Sequence, residues 1–146
     1  MQAEAKIAQE KLATTVQRFT AASAVVGVAG ACFLTAYFDP SKTSFFPVCP
    51  FFAITGFACP GCGLTRAFHA LFHGDLIVAL DFNLLSPVWA VMFGYAWVSL
   101  LLVAIRGRGL PLWMTRPAFL WTFMTVLLVF GVVRNIPVWP FTILFP

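Results

Sequence analysis

The chain has 146 residues, of which 61% are hydrophobic and only 10% charged. A soluble domain carries about 25% charged residues, so water could not solvate the surface of this chain, and a soluble globular protein is excluded. The net charge of +4 at pH 7 comes without any run of lysine or arginine, and this excludes nucleic acid as a partner. Composition therefore predicts an integral membrane protein whose first partner is the lipid bilayer.

Three apolar segments are predicted to span the membrane, and they cover residues 19–37, 87–105 and 118–133. A helix of 19 residues rises roughly 29 Å, close to the thickness of the hydrocarbon core. The third segment is shorter and spans only if Trp113 and Trp139 lie at the two interfaces. The predicted fold class is an all-α membrane protein with three transmembrane helices and short interfacial or re-entrant helices that carry a cysteine-rich motif.

Basic residues predict how the chain is oriented. They precede the first span and crowd the short connection between the second and third spans, so the positive-inside rule places both regions in the cytoplasm. Residues 1–18 then form a cytoplasmic or interfacial helix, and residues 19–146 form a single membrane domain. Its motif loop, residues 45–86, faces outward, and prolines and glycines prevent this apolar loop from forming one long helix.

A row of small residues on the first span predicts a contact with another helix. Small side chains at a spacing of four residues let two helix backbones approach closely in a membrane. The partner would be another membrane protein or a second copy of the chain. The row consists of Ser23, Gly27 and Ala31.

The motif loop contains a predicted amphipathic helix over residues 62–73. Its polar side chains recur at helical spacing on one narrow stripe, opposite an apolar face. Gly74 ends this helix, and Asp75 is placed to cap a second short helix over residues 76–80. The stripe consists of Cys62, Arg66, His69 and His73.

Cys49, Cys59 and Cys62 support three interpretations, which the sequence leaves open. They could form a structural disulfide, with Cys32 as a partner for the remaining thiol. Cys59 and Cys62 also form a CxxC pair at a helix start, where the helix dipole and Arg66 are expected to lower the thiol pKa and favour redox chemistry. Thirdly, the three cysteines together with His69 or His73 supply ligands for zinc, copper(I) or iron, which makes a metal ion the one cofactor that the chain suggests.

Arg134 and Asn135 follow the third span directly. On the predicted topology they lie on the same side of the membrane as the motif loop. An ionisable residue next to an apolar membrane segment is costly and points to a functional role. We therefore expect these two residues to pack against the motif.

These residues together resemble a family of small bacterial inner-membrane proteins whose domain of unknown function is defined by a CP…TG…CPGCGxTRA pattern. Here residues 49–83 read CPFFAITGFACPGCGLTRAFHALFHGDLIVALDFN, and the resemblance covers roughly residues 45–137. The chain departs from the family at Phe57-Ala58 and at Leu84, where proline is frequent. The resemblance implies a multi-span bacterial membrane protein and no known activity. The motif positions that it implies are Cys49, Thr55, Gly56, Cys59, Pro60, Gly61, Cys62, Gly63, Thr65, Arg66, Gly74 and Asn83.

The function predicted first is a non-enzymatic accessory subunit of a membrane complex that presents its cysteine-rich loop outward. No phosphate-binding loop, HExxH motif, nucleophile elbow or carboxylate pair is present in the sequence. The alternative prediction is a thiol–disulfide or metal-handling protein that acts through the CPGC motif and a nearby histidine.

Overall fold

The computed structural model describes residues 2–43, 46, 48–111 and 113–145, without the side chains of residues 2–13 and Ile143. The regular elements in these ranges are all helical, and no strand occurs among them. Short 3-10 turns cover Trp113–Thr115 and Phe141–Leu144. The α-helices are α1 (Gln2–Tyr37), α2 (Pro50–Thr55), α3 (Leu64–Phe72), α4 (Leu76–Phe82), α5 (Ser86–Arg106) and α6 (Pro117–Val133).

Two stretches of helix are long and apolar enough to cross a membrane. They are Thr14–Tyr37 within α1 and Ser86–Arg106, which is α5. Only 6% of either stretch is buried inside the protein, so neither is the covered core helix of a soluble domain. α6 is also apolar but shorter, at 17 residues. The predicted all-helical class is confirmed, with two long apolar helices. That α6 also crosses the membrane stays a prediction.

α1 runs without interruption from Gln2 to Tyr37. The N-terminal segment, predicted as a helix of its own over residues 1–18, is therefore continuous with the first apolar span, while Met1 lies outside the described residues. The reason is local, because no proline or glycine occurs before Gly27 to end the helix. A division of α1 between cytoplasm and membrane stays a prediction.

One compact unit consists of residues 1–33 and 91–111. In this unit the indole N–H of Trp97 donates a hydrogen bond of 3.3 Å to the backbone carbonyl of Val25. The guanidinium of Arg18 donates to the carbonyls of Ala104 and Ile105, each at 3.0 Å. Arg18 thereby caps the last turn of α5, where backbone carbonyls have no partner within the helix.

The second unit consists of residues 34–90 and 112–146 and contains the whole motif. α3 and α4 pack against each other through Ala67, Ala70 and Ala79, with Leu71 and Phe82 around them. Small side chains at this contact let the two short helices approach closely. The pair forms a compact support directly after the CPGC segment.

The turn between α3 and α4 lies at Gly74 and Asp75, where the sequence predicts it. Gly74 has a φ of +83°, a left-handed conformation that glycine adopts at little cost. Asp75 is the N-cap residue of α4, although its side chain makes no capping hydrogen bond. α4 continues to Phe82, two residues beyond its predicted end at residue 80.

Candidate metal centre

The CPGC segment is a tight turn that precedes α3. The Cys62 N–H donates to the Cys59 carbonyl at 2.9 Å, and the Leu64 N–H donates to the Gly61 carbonyl at 3.1 Å. Gly63 is the N-cap residue, with a φ of +80° that breaks the helical path before it. The helix therefore begins at Leu64, and the predicted start at residue 62 is wrong. Cys62 lies in the turn and does not share a helix face with the histidines.

The sulfur atoms of Cys49, Cys59 and Cys62 form one cluster. The distance from Sγ of Cys59 is 3.0 Å to Sγ of Cys62 and 3.5 Å to Sγ of Cys49. All three sulfurs lie within 4.8 Å of one another. They are the one group of three or more potential metal ligands in the described part of the chain, and none of the three forms a disulfide.

The segment between Cys49 and Cys59 folds back through α2. Cys49 is the N-cap residue of this helix, and Gly56 ends it with a φ of +73°. The hydroxyl of Thr55 donates to the Phe51 carbonyl at 2.6 Å and accepts the Phe57 N–H at 3.2 Å. The Thr-Gly pair thus reverses the chain and returns it to the first cysteine of CPGC.

Two fully buried side chains hold the backbone of the CPGC turn. Nη1 of Arg134 donates to the carbonyls of Cys59 and Cys62, at 2.8 and 3.2 Å. Nδ2 of Asn83 donates to the carbonyls of Pro60 and Cys62, at 2.9 and 3.1 Å. A buried carbonyl without a partner is costly, so these donors fix the turn in one conformation.

Asn135 fixes the backbone of Ala58, the residue before the CPGC turn. Its Nδ2 donates to the Ala58 carbonyl at 2.8 Å, and its Oδ1 accepts the Ala58 N–H at 2.8 Å. A Cβ added to Gly131 would lie 3.1 Å from Cγ of Pro60, so the end of α6 packs closely on the turn. The prediction that Arg134 and Asn135 pack against the motif is confirmed.

Arg134 carries a buried positive charge beside the sulfur cluster. The residue is 0% exposed, and its Nε and Nη2 have no hydrogen-bond partner among the described residues. Its guanidinium carbon lies 5.0 Å from the centre of the Phe130 ring. Burial lowers the pKa of Arg134, and the nearby Cys62 and Cys59 raise it, so negative charge on those sulfurs would stabilise the cation.

The cysteines differ in their ionisation. Burial raises the pKa of Cys62 to about 12, and hydrogen bonding with Cys59 adds to the effect. The predicted lowering of the Cys62 pKa is therefore wrong. Cys62 lies in the turn before α3, and its thiol is buried, which disfavours the charged thiolate. The pKa of Cys49 is lowered, chiefly by the backbone N–H of Phe52 in the first turn of α2.

The histidines lie outside the sulfur cluster. Nδ1 of His69 is 2.7 Å from the Thr35 carbonyl, and Nδ1 of His73 is 2.8 Å from the His69 carbonyl. Because a carbonyl only accepts, Nδ1 carries the proton in both rings. The centres of the two rings lie 4.4 Å apart, and the ring planes are tilted by 43°. Among the described residues, neither joins the group of three cysteines.

Cys32 belongs to the other compact unit, where its side chain is exposed on α1. Cys32 carries a free thiol, and its pairing with a motif cysteine stays one of the open alternatives. The roles of Thr35 and Phe130 were missed from the sequence. Neither residue stands in a motif, and their contacts depend on the tertiary fold.

The fold and site define an all-helical protein with apolar helices suited to a membrane and a preformed cluster of three cysteines. Residues 49–97 match the model of a family described as a protein of unknown function, DUF2752. This match lies within the region on which the resemblance rested. Comparison with curated proteins and with solved structures finds no match to the chain.

Proposed function

We propose that this is a multi-pass protein of the bacterial inner membrane that binds one Zn²⁺ through Cys49, Cys59 and Cys62. Its N-terminus is cytoplasmic and its motif loop faces outward, as the distribution of basic residues favours. The observation that carries the metal site is the cluster of three sulfurs within 4.8 Å, held by buried side chains rather than by a flexible loop. Thiolate clusters of this kind bind soft or borderline metals.

Charge balance favours Zn²⁺ over a disulfide. Three thiolates and one Zn²⁺ carry a net charge of minus one, which the buried Arg134 neutralises. A disulfide between two of the cysteines would leave at most one thiol beside that guanidinium. Copper(I) with three thiolates would carry a charge of minus two, which Arg134 alone would not neutralise.

Metal analysis of the full chain, purified in mild detergent without chelator, tests this proposal. We expect about one Zn²⁺ per chain. Cys59→Ser should remove the metal, whereas Cys32→Ser, an exposed cysteine outside the cluster, should retain it. Metal-free protein with two oxidised motif cysteines would overturn the proposal in favour of a redox or structural disulfide, and copper in place of zinc would contradict the charge argument.

A second candidate function, an accessory subunit of a membrane complex, draws support from α1. Ser23, Gly27 and Ala31 are all exposed, and a Cβ added to Gly27 would meet no atom within 4 Å. This face is open to a helix of a partner protein or of a second copy. Cross-linking through cysteines introduced along this row would test the contact, and cross-links spread evenly around the helix would contradict it.

A further inference from the structure

A cavity of about 330 Å³ opens beside the sulfur cluster. This volume lies in the range of small-molecule sites. Cys49 and Cys62 both contribute to its wall, so the cavity reaches two of the three proposed ligands. Its other walls combine apolar and polar side chains, among them Phe46, Val48, Phe52, Thr43, Thr65 and Arg66.

The proposed metal site is incomplete without a ligand from outside. Zinc in proteins takes four ligands, and sites with three protein ligands keep the fourth position for water or a substrate. The group of potential ligands consists of three cysteines. Among the described residues, no histidine, further cysteine or carboxylate joins it as a fourth ligand. The cavity is where an external ligand would reach the metal.

Arg66 gives the cavity a positive charge; it also lines a second cavity with Asp39 and Asp75, but it forms no ion pair among the described residues. Its guanidinium carbon lies 5.9 Å from the centre of the Phe82 ring. Within the described ranges, the side chain has neither a hydrogen bond nor an ion pair. In the proposed metal site, the metal and its three thiolates would balance the charge of Arg134. The charge of Arg66 therefore favours a fourth metal ligand that carries one negative charge.

We propose that this cavity admits a small thiol, whose sulfur completes the coordination of the metal as a thiolate opposite Arg66. The inference rests on the proposed zinc site. The thiol S–H bond breaks and its proton goes to water, while a metal–sulfur bond replaces the metal–water bond. No electrons are transferred. A sulfur donor suits a site rich in thiolates, and the apolar wall accommodates the carbon chain of the thiol.

Anaerobic titration of the Co²⁺-substituted full chain in detergent tests the proposal. Sulfur-to-cobalt charge-transfer absorption reports the three-cysteine site before any thiol is added. 2-Mercaptoethanol should then increase this absorption to saturation, because one more thiolate joins the metal. Acetate at the same concentrations should leave it unchanged.

Variants assign the binding to the cavity. Arg66→Gln should weaken thiol binding at least roughly tenfold, since a charge-assisted contact is lost. Arg66→Lys should restore most of it. Arg116→Gln, a matched change of an exposed arginine at the start of α6, should bind the thiol as the unaltered protein does.

The outcomes separate the two proposals. Charge-transfer absorption that does not respond to the thiol, or that responds equally to acetate or equally in Arg66→Gln, would overturn the thiol site and leave the metal site standing. Absence of charge-transfer absorption before thiol is added would overturn the metal site and the inference together.

Discussion

The guanidinium of Arg134 donates a hydrogen bond of 2.8 Å to the backbone carbonyl of Cys59, across 75 positions of sequence. The contact ties the end of α6 to the first cysteine of the CPGC turn. It also places a buried cation next to sulfurs that are proposed to carry negative charge. The same side chain therefore has two separable roles, one in shaping the turn and one in balancing the charge of a bound metal.

Replacement of Arg134 by methionine should separate these roles. The loss of hydrogen bonds from a charged donor is expected to lower the free energy of unfolding by about 3 kcal/mol in the metal-loaded protein. In the metal-free protein the loss should be smaller, because the buried and partly unpartnered guanidinium is itself costly. Thermal unfolding with and without metal measures the difference.

Arg116→Met is the control for that experiment, because Arg116 is exposed. Its effect should stay within about 0.5 kcal/mol. An equal loss of stability for Arg134→Met in the two metal states would mean that the guanidinium supports the turn without balancing a metal–thiolate charge.

Gly63 and Gly61 provide a matched pair within one turn. Gly63 has a φ of +80°, where a Cβ costs roughly 1–2 kcal/mol. A Cβ on Gly61 would meet only Sγ of Cys59, at 3.9 Å, which is an ordinary contact. We expect Gly63→Ala to lower the melting temperature and Gly61→Ala to leave it nearly unchanged. Equal melting temperatures would contradict the observed start of α3.

Alkylation of metal-free protein should depend on pH differently at two cysteines. The thiolate is the reacting form, so a lower pKa moves the reaction to lower pH. The lowered pKa of Cys49 predicts modification at lower pH than an ordinary thiol requires. Cys62, with its pKa raised to about 12, should react only as the pH approaches that value. Peptide mass spectrometry gives both pH midpoints, and coincident midpoints would argue against the buried position of Cys62.

The local parts of the fold could be predicted from the sequence, because helical spacing and the glycine at position 74 act over a few residues. The start of α3 could not, because the φ of Gly63 removes Cys62 from the helix. That misplacement also led to the wrong direction for its pKa. The pairing of Asn135 with Ala58 joins residues 77 positions apart, so no periodicity could predict the partner.

The sequence makes His69 and His73 candidates for redox or metal chemistry, whereas the contacts of both rings in the structure are to backbone carbonyls. His69→Ala and His73→Ala should each retain the metal, because the proposed ligand set contains only cysteines. His69→Ala should cost about 1 kcal/mol of stability through the lost hydrogen bond to Thr35. Loss of metal from either variant would return that histidine to the ligand set.

The state of the motif thiols in intact cells tests the central claim most directly. Cells expressing the Cys32→Ser chain would be treated with a membrane-permeant maleimide after exposure to a permeant zinc chelator, to a reductant, or to neither. A metal-bound cluster predicts that labelling of the motif cysteines rises after chelator and not after reductant. Labelling that rises only after reductant would reveal a disulfide and contradict the proposed zinc site.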